Sequence, residues 1–122
     1  DLPKYDHAQI WTFRQKIYTD VHFHLIMSIP EPIMRAIGSE MLHREVTSVD
    51  NMVVDAVSEF LNVFTGNACG KLSETGVNFR TTPPAVVHGV RTYPPQPKEV
   101  VTLNMQTMKG SLTLIFAFTD AA

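Results

Sequence analysis
The apolar residues change period along the chain, and that change limits the fold more than any other feature. Over residues 21–29 they alternate. Val21, Phe23, Leu25, Met27 and Ile29 fall on one side and His22, His24, Ile26 and Ser28 on the other, which is the period of a strand. Through Ile33, Met34, Ile37, Met41 and Leu42 the spacing lengthens to three and four, the period of a helix. A second helical stripe runs through Val53, Val57, Phe60, Leu61 and Phe64, and all five are expected to be buried. Alternation returns near the end, where Leu112, Leu114, Phe116 and Phe118 share a face. Strands and helices therefore come in blocks. That order predicts an α+β fold: a largely antiparallel sheet with two core helices packed on one face.

Local signals set the bounds. Residues 1–8 are polar, contain Pro3 and read as a loose lead-in. Residues 9–18 (QIWTFRQKIY) are rich in aromatic and β-branched types and predict a strand, with Asp20 at the turn after it. Ser28 and Pro30 stand where the first helix opens, and it runs to about residue 43, slightly weakened by Gly38. The second helix is expected to start near Ser48 or Val49, capped by Thr47 or Ser48, with Asp50 at the positive end of its dipole. It should run to about Thr65, where Gly66 is a natural stop. Val86 and Val87 form a short apolar run between Pro84 and Gly89. Residues 92–97 (TYPPQP) read as a loop, because three prolines in six residues exclude a central strand. Residues 99–106 and 111–119 predict a hairpin that turns near Lys109-Gly110.

Charge and cysteine usage narrow the function classes. There are 10 Lys and Arg against 12 Asp and Glu among 122 residues, a net charge of -2. A nucleic-acid backbone binder or a polybasic membrane anchor would carry a basic excess, so neither nucleic acid nor membrane is an expected partner. No apolar run approaches the ~20 residues of a membrane span, and no signal peptide is visible. Cys69 is the single cysteine. One thiol cannot staple a monomer, which fits a reducing compartment, and a cytoplasmic location is expected. Cys69 reads as a small packing residue; Lys71 alone is weak support for a reactive thiol. The chain opens on Asp1 rather than Met, as a processed or partial product would.

The second helix carries the chemistry. At about 100° per residue, Asp55, Glu59 and Asn62 lie within about 60° of one another, opposite the apolar stripe. A carboxylate and a carboxamide thus project together towards solvent, and nothing about packing requires that pairing. A solvated helix face is the plain alternative. Asn is a poor helix-interior residue, costing roughly 0.5 kcal/mol against the best formers, which makes its placement informative.

The segment D55-A-V-S-E59-F-L-N62-V-F-T-G66, followed by T-T-P83-P84-A-V-V-H-G89, resembles the signature of the CheX/CheC chemotaxis phosphatases. That signature is Asp or Ser, three residues, Glu, two residues, Asn, and about twenty-one residues later a Pro. Here 21 residues separate Asn62 from Pro84. One copy is present, as in CheX-type chains, whereas CheC-type chains usually carry two. The resemblance implies a single CheX-like domain over residues 1–122. The family's glycine-rich strand pairing before the first core helix is replaced here by Tyr18-Thr19-Asp20-Val21-His22-Phe23.

The resemblance also implies a reaction. The substrate would be the phosphoaspartate of a CheY-like response regulator. Asn62 would orient the attacking water, since an amide offers donor and acceptor without charge. Glu59 would meet the receiver's active-site lysine in a charge-assisted contact. Asp55, Gly66 and Pro84 complete the motif; Pro83 and Pro84 are expected to shape the loop beside the helix. No cofactor is expected on this chain, and Mg²⁺ would sit on the receiver. A homodimer paired through the sheet is implied as well. The alternatives are a non-catalytic CheC-like module that docks a receiver, and a structural relative that binds flagellar-switch proteins.

Other constellations are weaker. His22 and His24 share a strand face, a geometry that can ligate zinc, but no Cys or acidic partner stands at a recognisable spacing. No G-x-S-x-G elbow, Walker A loop or G-x-G-x-x-G stretch occurs. Trp11 is expected to be a sheet or interface residue.

Overall fold
Trp11, Phe13, Gln15 and Ile17 all point to one side of the first strand and pair across it with Ile29, Met27, Leu25 and Phe23 of the second. This alternation builds the floor of the core. The structure, a computed structural model, describes residues 9–20, 22–89 and 98–119. The lead-in over 1–8, Val21 and the loop over 92–97 lie outside the described residues. The elements are β1 (Ile10–Tyr18), β2 (His22–Pro30), α1 (Glu31–Leu42), α2 (Asn51–Ser73), β3 (Arg80–Thr81), β4 (Ala85–His88), β5 (Glu99–Thr107) and β6 (Gly110–Thr119). They form an α+β fold. The strand pairings are antiparallel, in the order β3-β1-β2-β6-β5, with β4 also on β1.

The central strand β2 turns alternate residues to the core. Leu25, Met27 and Ile29 join the core with Ile33 and Met34 of α1 and Val53, Val57 and Leu61 of α2. Ile26 is buried on the opposite face of the sheet, where its cross-strand neighbours are Arg14 of β1 and Ile115 of β6. From β6, Leu112, Leu114 and Phe116 pack against the core. The hairpin turns at Met108-Lys109, and Gly110 takes a positive φ of 135°, open to glycine without strain.

Pro32 stands in the first turn of α1, where a missing N–H costs nothing, and Glu31 faces the positive dipole end. His43 closes the helix in the left-handed region, at φ 55°. The cap of α2 differs from the sequence expectation. Asp50, not Thr47 or Ser48, is the N-cap, and its Oδ1 accepts from the Val53 N–H at 2.9 Å. A side-chain acceptor there is worth about 1 kcal/mol.

Two further expectations about α2 are corrected. Gly66 does not end the helix, which continues to Ser73. A glycine stops a helix when it enters the left-handed region. Gly66 stays helical, and the turn closes instead at Gly76, with φ 97°. Nor is the whole apolar stripe buried. Val53, Val57 and Leu61 are, joined by Ala56 and Thr65, while Phe60 and Phe64 remain 38% and 59% exposed. The reason is a difference in helix length. Gly38 of α1 lies against Val53. From that contact α1 runs back only to Glu31, ~10 Å at 1.5 Å per residue. It reaches the level of Phe60 and leaves Phe64 beyond its end.

Candidate functional site on the second helix
Asp55 and Glu59 are exposed on the outer surface of α2, and Asn62 is half-buried beside them. Among the described residues no hydrogen bond or ion pair engages Asp55 or Glu59. Because the helix continues, Gly66 falls on the same stripe, one turn beyond Asn62 and within about 60° of the other three. A Cβ built on Gly66 meets nothing within 4 Å. The stripe therefore runs from two carboxylates through an amide to bare backbone, a profile that lets a foreign surface approach closely.

Asn62 differs from its neighbours because it borders the sheet. Its Oδ1 lies 3.4 Å from Nε2 of Gln15. Gln15 is a polar side chain with 0% exposure, placed inward by the alternation of β1. Its remaining partners are close: Thr65 Oγ1 donates to its Oε1 at 2.8 Å, and its Nε2 donates to the Thr82 carbonyl at 2.9 Å. Both N–H groups and the oxygen of the Gln15 amide thus have partners, as burial demands.

Pro83 and Pro84 directly follow the Thr82 carbonyl that Gln15 uses. They separate β3 from β4, which pair with different stretches of β1. Proline has no N–H for the ladder and holds the preceding residue extended. At this break the Lys16 N–H goes to the Thr82 hydroxyl (3.0 Å), and the Thr82 N–H goes to the Lys16 carbonyl (3.0 Å). The Thr82 carbonyl is left to the Gln15 side chain.

Gln15, Thr65 and Thr82 were not singled out by the sequence expectations. Two of the three leave a trace there. Gln15 interrupts the inward series Trp11, Phe13, Ile17, and Thr65 continues the inward series Val57, Leu61. A polar residue in each apolar series is the signal. Thr82 acts through its backbone and hydroxyl and leaves no such trace.

Other candidates lie elsewhere. Among the described residues no group of three His, Cys, Asp or Glu is placed to hold a metal ion. His24 is half-buried; burial, and then the nearby Arg14 and Lys16 charges, push its pKa below the ordinary imidazole value. Burial pushes the Cys69 thiol up, which keeps the thiolate scarce, and its side chain packs against the core. Trp11 is buried and stacks on His88 with ring centroids 4.2 Å apart. Surface clefts of 190 and 430 Å³ are lined by Pro32, Arg35 and Lys109 and by Tyr18, His22 and Arg80, among others, away from Glu59 and Asn62. Among the described residues no helix is long and apolar enough to cross a membrane.

A family model described as chemotaxis phosphatase CheX matches residues 12–106. The chain belongs to the CheX family of chemotaxis phosphatases. The match spans β1 and α2 together, and so covers Gln15, Asn62 and the Pro83-Pro84 break. Solved CheX structures share the fold. The CheX protein of Vibrio vulnificus superposes with a TM-score of 0.78 at 20% identity, covering 97% of this chain and 82% of that one. CheX of Desulfovibrio desulfuricans gives 0.76 at 20% identity, covering 98% and 81%. CheX of Borrelia burgdorferi, solved in complex with CheY, BeF3 and Mg²⁺, gives 0.71 at 17% identity, covering 96% and 79%. No curated protein matches the sequence.

Proposed function
We propose that this chain hydrolyses the phosphoaspartate of a CheY-like response regulator with the outer face of α2. The observation that carries the reading is the placement of Asn62. It is a half-buried amide tethered to the sheet, one turn from an exposed carboxylate, on an open helix surface. An open surface suits a macromolecular substrate that brings its own pocket. The CheX–CheY–BeF3–Mg²⁺ complex of the Borrelia burgdorferi relative supports such a partner.

An acyl phosphate is already activated, so the catalyst has little covalent work. It must hold a water in line with phosphorus and stabilise spreading charge. Asn62 meets the first need: its amide contacts water without repelling phosphoryl oxygens. Glu59 docks by pairing with the receiver's active-site lysine, and the separation of three residues lets one rigid helix deliver both groups. Asp55 borders the stripe. Mg²⁺ belongs to the receiver. The work is cytoplasmic, where such receivers act.

Val63, one turn beyond Glu59, is exposed and favours docking whether or not turnover follows, so a docking-only module is the competing reading. Binding and rate separate the two. Glu59→Ala should weaken binding to a beryllofluoride-activated receiver and slow dephosphorylation together. A Glu59→Ala variant with native affinity would remove the docking role. The second element of the proposal is a homodimer formed through the sheet. β5 is the last strand of the sheet among the described residues and exposes Val101, Leu103 and Met105, an apolar edge that can pair with a second copy. Light scattering that returns a monomer at working concentration would contradict it.

A further inference from the structure
We infer that Gln15 is a positioning residue for Asn62, held in place by Thr65 and by the carbonyl that the Pro83-Pro84 break leaves free. The inference rests on the reading of Asn62 given above and adds to it the device that sets which atom of its amide faces outward.

Amide orientation is fixed by a chain of obligatory partners. The Thr82 carbonyl can only accept, so Gln15 must turn its NH₂ there, at 2.9 Å. Its Oε1 is then turned to the Thr65 hydroxyl, which donates at 2.8 Å. A flipped Gln15 amide would set oxygen against the Thr82 oxygen and lose a bond at full burial, where an unmade bond costs about 1–3 kcal/mol. One Nε2 hydrogen remains, and it faces Asn62. Asn62 must answer with Oδ1, the atom found 3.4 Å away. Its Nδ2 is thereby directed away from Gln15, and no hydrogen bond occupies it among the described residues. The stripe presents two N–H donors and one remaining Oδ1 lone pair, a set that can hold a water by its oxygen and by one hydrogen. The 3.4 Å contact is longer than its two neighbours at 2.9 and 2.8 Å.

The chain connects three segments distant in sequence: β1, α2 and the proline break. It assigns the Pro83-Pro84 pair a part in the site that does not require either ring to touch the substrate.

The test is dephosphorylation of a phosphorylated receiver at increasing concentrations of the protein. It yields a saturating rate and a half-saturating concentration for each variant. Gln15→Met keeps the volume and removes the amide. It should lower the saturating rate about tenfold while the half-saturating concentration stays within about twofold, since a misaligned group costs rate rather than binding. Thr65→Val should lower the rate in the same way by a smaller factor, and Thr65→Ser, which keeps the hydroxyl, should restore it. A folded Gln15→Met with the native saturating rate would overturn the proposal. So would equal losses in Thr65→Val and Thr65→Ser. Should Gln15→Met fail to fold, the Thr65 pair decides. Asn62→Ala is run alongside. If it alone loses the rate and the Gln15 and Thr65 variants do not, Gln15 has no positioning role. If Asn62→Ala keeps the native rate, the reading of Asn62 falls and the positioning role with it.

Discussion

Single residues on α2 show how one helix serves both a core and an outer surface. Gly66 lies on the outer stripe with space around it, so its lack of a side chain is not demanded by packing. Gly66→Ala should raise stability by about 0.5–1 kcal/mol through helix propensity alone, read from a chemical-denaturation midpoint. Gly66→Leu should keep that stability and weaken receiver binding, because the added branch stands one turn from Asn62. His24 gives a second test at this scale. Its pKa is pushed down mainly by burial, then by Arg14 and Lys16. The unfolded chain therefore takes up this proton first. The His24 contribution to stability is complete above about pH 6.5 and declines as pH falls below that value. Denaturation midpoints at pH 7.5 and 5.5 should show that decline, and His24→Gln should make it shallower. The carboxylate–amide pair at 59 and 62 was legible in the sequence because helix geometry is regular. The inward turn of Gln15 was not read, although the alternation of Trp11, Phe13 and Ile17 marks it.

At the scale of elements, the two helices meet at one close approach. A Cβ on Gly38 would stand 2.9 Å from Cγ1 of Val53, and a β-branched side chain has little freedom to give way. Gly38→Ala should lower stability by about 1 kcal/mol, the overpacking cost exceeding the helix-propensity gain. The opposite signs expected at Gly38 and Gly66 follow from packing alone, and thermal unfolding of both variants checks them. Sequence pattern located both helices and the terminal hairpin, since each has a strong period. It misplaced the end of α2 because a glycine is a stop only in the left-handed region, and φ is not written in composition. It overstated the buried stripe because the burial of Phe64 depends on the length of the neighbouring helix α1. The two short strands β3 and β4, which share one edge of β1, left little pattern of their own.

At the scale of the whole molecule, the sheet does more than cover the helices. Its first strand brings a buried amide under α2, and its broken edge supplies the carbonyl that orients that amide. The α+β order was readable from blocks of period. The joining of Gln15, Asn62 and Thr82 required the strand order, since these residues are far apart in the chain. The central claim is that Asn62 positions the attacking water. Single-turnover decay of a phosphorylated receiver, with the native chain and with Asn62→Ala, tests it most directly. The native chain should accelerate decay, and Asn62→Ala should bind the receiver with native affinity while losing about a hundredfold in rate. Native acceleration by Asn62→Ala would contradict the claim.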